Sequence, residues 1–151
     1  MKNYEGKVVE VIPGGNFVDD RGSLLANNGF CLDGFKRFYV VKNHKSHFVR
    51  AWHGHQHESK ALICVRGAFK VGIVRIDDFK NPNRDSEVLS YVLSEHSGSV
   101  LRIPAGYANG FMNLTADSQM IIFSDKSLEE SIKDDFRYRY DLWDIWDVQP
   151  R

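Results

Sequence analysis

Short apolar runs separated by turn residues form the main pattern of this chain. Residues 61–65 are continuously apolar, as in a strand buried on both faces, and residues 69–73 alternate as in a half-buried strand. The turn residues Arg66 and Gly67 join the two runs, so residues 61–76 are predicted to form a hairpin. Further strands are predicted over residues 8–12, 38–41, 88–93, 100–103 and 119–123.

Helical periodicity is limited to residues 127–135, a length of about two turns. Ser127 is the expected N-cap, and Glu129 and Glu130 lie in the first turn, where acidic side chains favour a helix. Residues 77–87 are polar and predict a loop. Many short strands with one short C-terminal helix predict an all-β sandwich or barrel.

The segment 136–148 is rich in aromatic side chains that alternate with charged ones. Its aromatic residues are Phe136, Tyr138, Tyr140, Trp143 and Trp146. We expect this segment to pack on its own barrel or on a dimer partner. The alternative is that one tyrosine or tryptophan contacts a sugar or a base.

Composition and charge narrow the functional classes. The 151 residues suit one domain, predicted over residues 1–151, and the 42% apolar and 26% charged residues are ordinary for a globular protein. The formal net charge of zero gives no support for binding to nucleic acid or to a membrane surface. No signal peptide or apolar stretch of membrane length is evident, so a cytoplasmic protein is expected. Cys64, in an apolar run, is predicted to be a buried core thiol.

The histidines His53, His55 and His57 alternate along the chain. Alternate residues of a strand face the same side, so one cavity could hold all three side chains. Because neutral imidazole is a common metal ligand, a metal site is one hypothesis. Solvated surface histidines are the simpler alternative.

Two spaced motifs carry a resemblance to the cupins. The first has two histidines, a glutamate and a glycine, and this chain has His53, His55, Lys60 and Gly67 at that spacing. The second consists of a glycine, a proline, another glycine, a histidine and an asparagine, in that order and at fixed spacing. This chain matches it with Gly98, Pro104, Gly106, Asn109 and Asn113, where Asn109 replaces the histidine. The resemblance implies a cupin jelly-roll β-sandwich or barrel.

A cupin metal is typically held by three histidines and one glutamate, and this chain departs from that set twice. Lys60 would repel a divalent cation and Asn109 is a weak ligand for zinc or iron, so no metal is expected. His57 could supply a third nitrogen, which leaves metal binding as the lesser alternative.

The chain also resembles the dTDP-4-dehydrorhamnose 3,5-epimerase family and the related dTDP-sugar 3,4-ketoisomerases. The matching stretches are residues 20–22 (D-R-G), 50–53 (R-A-W-H), 60–62 (K-A-L), 103–111 (I-P-A-G-Y-A-N-G-F) and 140–146. The resemblance implies a metal-free isomerase without a cofactor that acts on a nucleotide-linked 4-keto-6-deoxy sugar. It further implies a homodimer in which a strand or an N-terminal segment crosses to the partner.

The resemblance assigns roles to four residues. His53 is the base that removes a proton beside the keto group, since a histidine titrating near neutrality suits that task. Lys60 stabilises the enolate oxygen that forms. Arg21 and Arg50 bind the diphosphate, whose geometry matches a guanidinium group.

Further candidates are residues that match only one of the two families or replace one of its functional residues. His55 and Tyr39 match ketoisomerase positions and are expected to be catalytic. Asn109 replaces a motif histidine, and Phe123 aligns near the position of the tyrosine that donates a proton in the epimerases. Asn109, Phe123 and Tyr107 are all expected to contact the substrate. Tyr39 and Tyr107 are the candidates to replace that tyrosine.

Three functional classes therefore stay open. The leading one is a 3- or 3,5-epimerase, with a 3,4-ketoisomerase as a close alternative. The second is a non-catalytic cupin that binds a sugar nucleotide, and the third is a metal cupin such as a dioxygenase, which Lys60 and Asn109 disfavour.

Overall fold

The computed structural model describes residues 8–151. In chain order the strands are β1 Glu10–Ile12, β2 Gly15–Asp19, β3 Gly22–Ala26, β4 Arg37–Lys42, β5 Val49–His55, β6 Lys60–Arg66, β7 Ala68–Arg75, β8 Val88–Ser94, β9 Val100–Ile103, β10 Tyr107–Asn113, β11 Gln119–Ser124 and β12 Phe136–Arg137. The helix α1, Leu128–Ile132, lies between β11 and β12.

The strands form two antiparallel sheets that face each other. Sheet one has the order β1-β9-β6-β11-β4, sheet two has the order β12-β5-β10-β7-β8, and β2 and β3 pair as a separate hairpin. This arrangement confirms the predicted all-β sandwich with a short C-terminal helix.

The predicted hairpin over residues 61–76 is wrong. Strand β6 pairs with β9 and β11 in sheet one, whereas β7 pairs with β8 and β10 in sheet two. The turn at Gly67 therefore carries the chain from one sheet to the other. Gly67 has a φ of 70°, and a Cβ there would lie 2.3 Å from the Ser118 hydroxyl oxygen, so the corner has no room for a side chain. Periodicity alone does not reveal which sheet a strand joins.

The main core lies between the two sheets. Its buried residues are Val41, Leu62, Cys64, Phe69, Val71, Ile73, Leu93, Leu101, Ile103, Phe111, Met120 and Ile122. Cys64 is 1% exposed, which confirms the predicted buried thiol. Strand periodicity explains this core, because alternate residues of both sheets point inward.

The C-terminal aromatic segment covers the outer face of sheet two. The rings of Trp143 and Trp146 lie 5.4 and 5.2 Å from that of Trp52, which points outward from β5. The indole nitrogens of Trp52 and Trp146 both donate to the Tyr140 carbonyl at 3.0 Å. Of the two expected placements, the structure shows the segment packed on its own barrel, where it covers the outer face of sheet two except near Val92 of β8, which is 62% exposed.

The outer face of sheet one is different, because no described residues cover its edge. Phe38 and Val40 of β4 are 64% and 52% exposed there. Phe123 of β11 lies on the same face, against Phe30 and Phe35. The molecule therefore presents an apolar patch beside strand β4.

Helix α1 is shorter than predicted, but its start is as expected. Ser127 is the N-cap and forms a capping box with Glu130. The hairpin of β2 and β3 was not predicted, because its residues are mostly exposed and lack a clear apolar alternation. No described helix is long and apolar enough to cross a membrane.

Candidate active site

A cavity of about 270 Å³ opens between the two sheets beside α1. Six of the nine residues predicted for the site line it: Tyr39, Arg50, His53, His55, Lys60 and Asn109. They come from strands β4, β5, β6 and β10, so both sheets contribute. The fold thus gathers residues that lie up to 70 positions apart in the sequence into one cavity.

A bulge in β5 brings Arg50 and His53 to the same cavity. His53 pairs with Asn109 of β10 and Arg50 with Phe111, so two residues of β5 oppose the single Gly110. Residues three apart on a regular strand face opposite sides, and the extra residue restores the common face. His55 follows His53 by two and also points inward, while Trp52 points outward.

The electrostatic surroundings of His53 keep its ring neutral. The pKa of His53 is lowered to about 4, first because the ring is buried and then because Lys60 and Arg137 are positively charged. Asp135 opposes this shift. Above that pH the ring has a free lone pair that can accept a proton, as a general base requires.

Lys60 is 8% exposed, so its ammonium lies in a poorly solvated wall of the cavity. Its nearest carboxylate is Glu58, 3.9 Å away, which is too long for a hydrogen bond. A cation in such surroundings interacts more strongly with a negative charge that develops nearby than it would in water.

Glu58 is a member of this cavity that the sequence reasoning missed. Its side chain is fully buried and touches Arg37, His55 and Lys60. The first cupin motif has its glutamate at the position of Lys60, so the motif does not predict an acid at position 58. The sequence does place Glu58 three residues after His55, close enough for the two side chains to meet across a turn.

The turn that carries Glu58 is held by Asp134, which follows α1. The Asp134 carboxylate accepts hydrogen bonds from the backbone nitrogens of Gln56, His57 and Glu58 at 2.8 to 3.0 Å. The Asp134 carbonyl oxygen lies 2.6 Å from Nδ1 of His55. The C-terminal end of α1 therefore fixes the turn between β5 and β6.

Arg50 is held by a buried amide network. Its Nε donates to Asn43 Oδ1 at 2.6 Å, and Asn43 Nδ2 donates to Asn113 Oδ1 at 3.0 Å. Asn113, the last position of the second motif, is fully buried and also donates to the Lys45 carbonyl. Asn113 therefore positions Arg50 through Asn43.

Three predicted site residues lie outside this cavity. Arg21 is in the turn between β2 and β3, with its side chain 86% exposed and paired with Asp19. Tyr107 begins β10, packs against the main core and lines a second, open cavity of about 460 Å³. Phe123 faces outward from β11, because strand alternation points its neighbours Ile122 and Ser124 inward.

The three alternating histidines do not share one place. His53 and His55 line the cavity, whereas His57 is exposed in the turn after β5. Among residues 8–151, no three histidine, cysteine, aspartate or glutamate side chains come together as metal ligands would.

The charges of the cavity favour an anionic ligand. Arg50, Lys60 and Arg137 contribute positive charge, against the carboxylates of Glu58 and Asp135. Arg137 is paired with Asp135 at 2.9 Å. The neutral histidine and the buried ammonium suit a substrate with an acidic carbon–hydrogen bond. The exposed guanidinium groups suit a phosphorylated group on the same substrate.

The chain matches the model of a known protein family along most of its length. The family model described as "FdtA: WxcM-like, C-terminal" matches residues 9–143. The chain belongs to this family. The match spans both sheets, the cavity and most of the aromatic segment that covers sheet two.

One relative matches about half of the chain in sequence. The chain is 32% identical over 75 residues to the "Probable low-salt glycan biosynthesis epimerase Agl13" of Haloferax volcanii. That match covers 49% of this chain and 47% of the relative, so the chain spans under half the length of that protein.

Solved structures match over nearly the full chain. The dTDP-4-dehydrorhamnose 3,5-epimerase of Bacillus anthracis, with TDP and PPi bound, has a TM-score of 0.75 at 19% identity, covering 99% of this chain and 90% of that one. QdtA, a sugar 3,4-ketoisomerase of Thermoanaerobacterium thermosaccharolyticum in complex with TDP, has a TM-score of 0.65 at 20% identity, covering 89% and 90%. The chain therefore shares its fold with these two proteins.

Proposed function

We propose that this protein is a metal-free nucleotide-sugar epimerase that inverts carbon 3 of a 4-keto-6-deoxy hexose. The observation that carries the proposal is the presence of neutral His53 and the buried ammonium of Lys60 in one cavity. The first group accepts a proton and the second stabilises the negative charge that its removal leaves behind.

The chemistry follows from the 4-keto group, which acidifies the hydrogen on carbon 3. His53 takes that proton, the electron pair of the carbon–hydrogen bond forms a double bond between carbons 3 and 4, and the carbonyl electrons move to the oxygen on carbon 4. In this proposal Lys60 stabilises the negative charge on that oxygen. Return of a proton to the opposite face of carbon 3 restores the ketone and inverts the centre. Tyr39 lines the cavity from the facing sheet and is the proposed donor of that proton.

A nucleotide-linked substrate is supported by charge and size. Arg50 and Arg137 are exposed at the cavity, and guanidinium groups bind phosphate oxygens in a two-pronged geometry. A cavity of about 270 Å³ is near the lower limit of ligand sites, so we expect it to hold the hexose while the nucleotide lies outside. Two of the similar structures named above contain TDP.

A 3,4-ketoisomerase is the second candidate, and the position of Phe123 favours it. With Phe123 facing away from the cavity, β11 supplies no proton donor of the epimerase kind. In the same enolate, transfer of the proton from the hydroxyl on carbon 3 to the oxygen on carbon 4, followed by protonation of carbon 4, gives the 3-keto sugar with a hydroxyl on carbon 4. His55 and Tyr39 are both present for that step.

The assembly remains a proposal. We infer a homodimer that covers the apolar patch beside β4, and we propose that Arg21 binds the diphosphate in the partner's cavity. Arg21 is exposed and is not among the residues that line its own cavity, which supports this proposal. A single domain over residues 1–151, a cytoplasmic location and a lack of nucleic-acid or membrane partners stay predictions.

Product analysis separates these functions. The purified protein is incubated with dTDP-4-keto-6-deoxyglucose, and the sugar is followed by NMR. Inversion at carbon 3 with the ketone still at carbon 4 supports the epimerase, and a ketone at carbon 3 supports the ketoisomerase. Binding without any change in the sugar would contradict both and indicate a binding protein.

A further inference from the structure

Glu58 is a buried acid that the proposed reaction does not use directly. One of its oxygens, Oε1, accepts hydrogen bonds from the hydroxyls of Ser124 at 2.5 Å and Ser131 at 2.7 Å, and from Arg37 Nη2 at 3.3 Å. These donors come from β11, α1 and β4. The carboxylate is therefore fixed in orientation, and its other oxygen, Oε2, has little freedom.

Oε2 faces Nε2 of His55 at a distance of 3.2 Å. Both atoms are shielded from solvent, and neither has a hydrogen-bond partner among the described residues. A buried polar atom without a hydrogen-bond partner is unfavourable, and here two such atoms lie side by side.

The other nitrogen of His55 settles where its hydrogen is. Nδ1 lies 2.6 Å from the Asp134 carbonyl oxygen, which can only accept, so Nδ1 donates. In a neutral ring Nε2 then has a lone pair, which would face the lone pairs of an ionised Glu58. One proton between Nε2 and Oε2 turns this repulsion into a charge-assisted hydrogen bond.

We propose that Glu58 and His55 share one proton between Oε2 and Nε2, and that this proton fixes the orientation of the His55 ring in the wall of the cavity. Both nitrogens of His55 are then occupied, one by Asp134 and one by Glu58. In the proposed function, on which this part rests, His53 alone remains as the base.

The charged groups around the pair act in opposite directions. Burial lowers the pKa of His55 and Lys60 lowers it further, whereas Glu58 and Asp134 raise it. Burial acts to raise the pKa of Glu58, but Lys60 and the hydroxyls of Ser124 and Ser131 outweigh it and leave the pKa lowered. Arg37 from β4 and the neighbouring His53 also face this region. Each pKa is lowered on balance, which acts against a proton on either group alone, so the shared proton rests on the facing lone pairs of Nε2 and Oε2.

The variant Glu58→Gln separates a shared proton from mere packing. Its amide keeps an oxygen for Ser124 and Ser131, and its NH₂ group donates to Nε2 of a neutral His55. We therefore expect the proton affinity of His55 to fall at least tenfold, which is one pKa unit. The loss is specific to the carboxylate because the two side chains have nearly the same shape.

The measurement is nitrogen NMR of the ligand-free, ¹⁵N-histidine-labelled protein, with His55→Asn to assign the His55 signals. At pH 6 we expect both nitrogens of His55 to be protonated in the wild type, and Nε2 to lose its proton in Glu58→Gln. Glu129→Gln, an exposed change on α1, is the matched control and should leave His55 unchanged.

A neutral His55 with a bare Nε2 in the wild type from pH 5 to 8 would overturn the proposal, even if the Glu58 variant does not fold. The same holds if Glu58→Gln leaves the His55 titration unchanged. No substrate is used, so this result is independent of the product analysis, and failure of one does not imply failure of the other.

Discussion

At the scale of single residues, His53 is a buried base with its proton affinity reduced by burial and by Lys60 and Arg137. The sequence identified His53, Lys60 and Arg50 through their motifs, because the spacing of a motif preserves which residues face a cavity. It missed Glu58 and Asp134, because their roles depend on a turn and a helix end that meet only in the folded chain.

The lowered pKa of His53 predicts how stability depends on pH. Between pH 6.5 and about 4, an unfolded chain binds a proton at this residue that the folded chain does not. The free energy of unfolding should therefore rise with pH across this window, by at most about 3 kcal/mol from His53. Urea unfolding at several pH values should show a shallower rise for His53→Asn.

The exposed residue His96 supplies the control, because His96→Asn should keep the wild-type slope. Equal slopes for wild type and His53→Asn would contradict a buried, neutral His53.

Replacing Lys60 tests its proposed role on the enolate. Lys60→Met keeps much of the side-chain volume but removes the charge, so we expect kcat to fall by about 10²–10³, as for loss of one stabilising group. TDP affinity, measured by calorimetry, should change much less. The exposed variant Lys133→Met is the control, and a wild-type kcat for Lys60→Met would remove Lys60 from the mechanism.

At the scale of elements, the bulge between β5 and β10 decides which side chains reach the cavity. Gly110 of β10 lies opposite the bulge, and a Cβ added there would lie 2.5 Å from Ala51 Cβ. The sequence motif marked Gly110 but gave no reason for it, since the close approach depends on pairing between distant strands. The hairpin predicted around Gly67 is wrong for a similar reason, because the pairing of β6 and β7 with other strands also depends on distant parts of the chain.

The change Gly110→Ala is therefore predicted to destabilise the fold by about 1–3 kcal/mol, the usual cost of overpacking. Urea denaturation measures this directly. Gly29→Ala is a suitable control, because its new Cβ would meet the Ile12 side chain at 3.3 Å and Asn27 Oδ1 at 3.9 Å, both farther away than Ala51 is from Gly110. A Gly110→Ala protein as stable as wild type would mean that β5 shifts away without cost.

At the scale of the whole molecule, sequence patterning predicted the all-β class because each inner face needs alternating apolar residues. It did not predict how the faces are covered. The aromatic segment covers sheet two, whereas the patch with Phe38 and Val40 on sheet one has no cover among residues 8–151. Such patches mark interaction sites on many soluble proteins.

The proposed dimer gives the patch a partner. In analytical ultracentrifugation we expect twice the chain mass of 17.4 kDa for the wild type. Val40→Lys should shift the equilibrium to the monomer, whereas Val92→Lys, exposed on β8 at the edge of sheet two, should not. A wild-type monomer at high concentration would contradict the dimer.

The proposed removal of the carbon 3 proton of the keto sugar by His53 is tested most directly by hydrogen exchange. The protein is incubated with dTDP-4-keto-6-deoxyglucose in heavy water, and the recovered sugar is analysed by mass spectrometry and NMR. We expect one solvent deuterium at carbon 3, or at carbon 4 if the ketone has moved. We also expect the exchange rate to fall by about 10²–10⁴ for His53→Asn, with TDP binding retained. Binding of the sugar nucleotide without any exchange, or exchange that His53→Asn leaves unchanged, would contradict it.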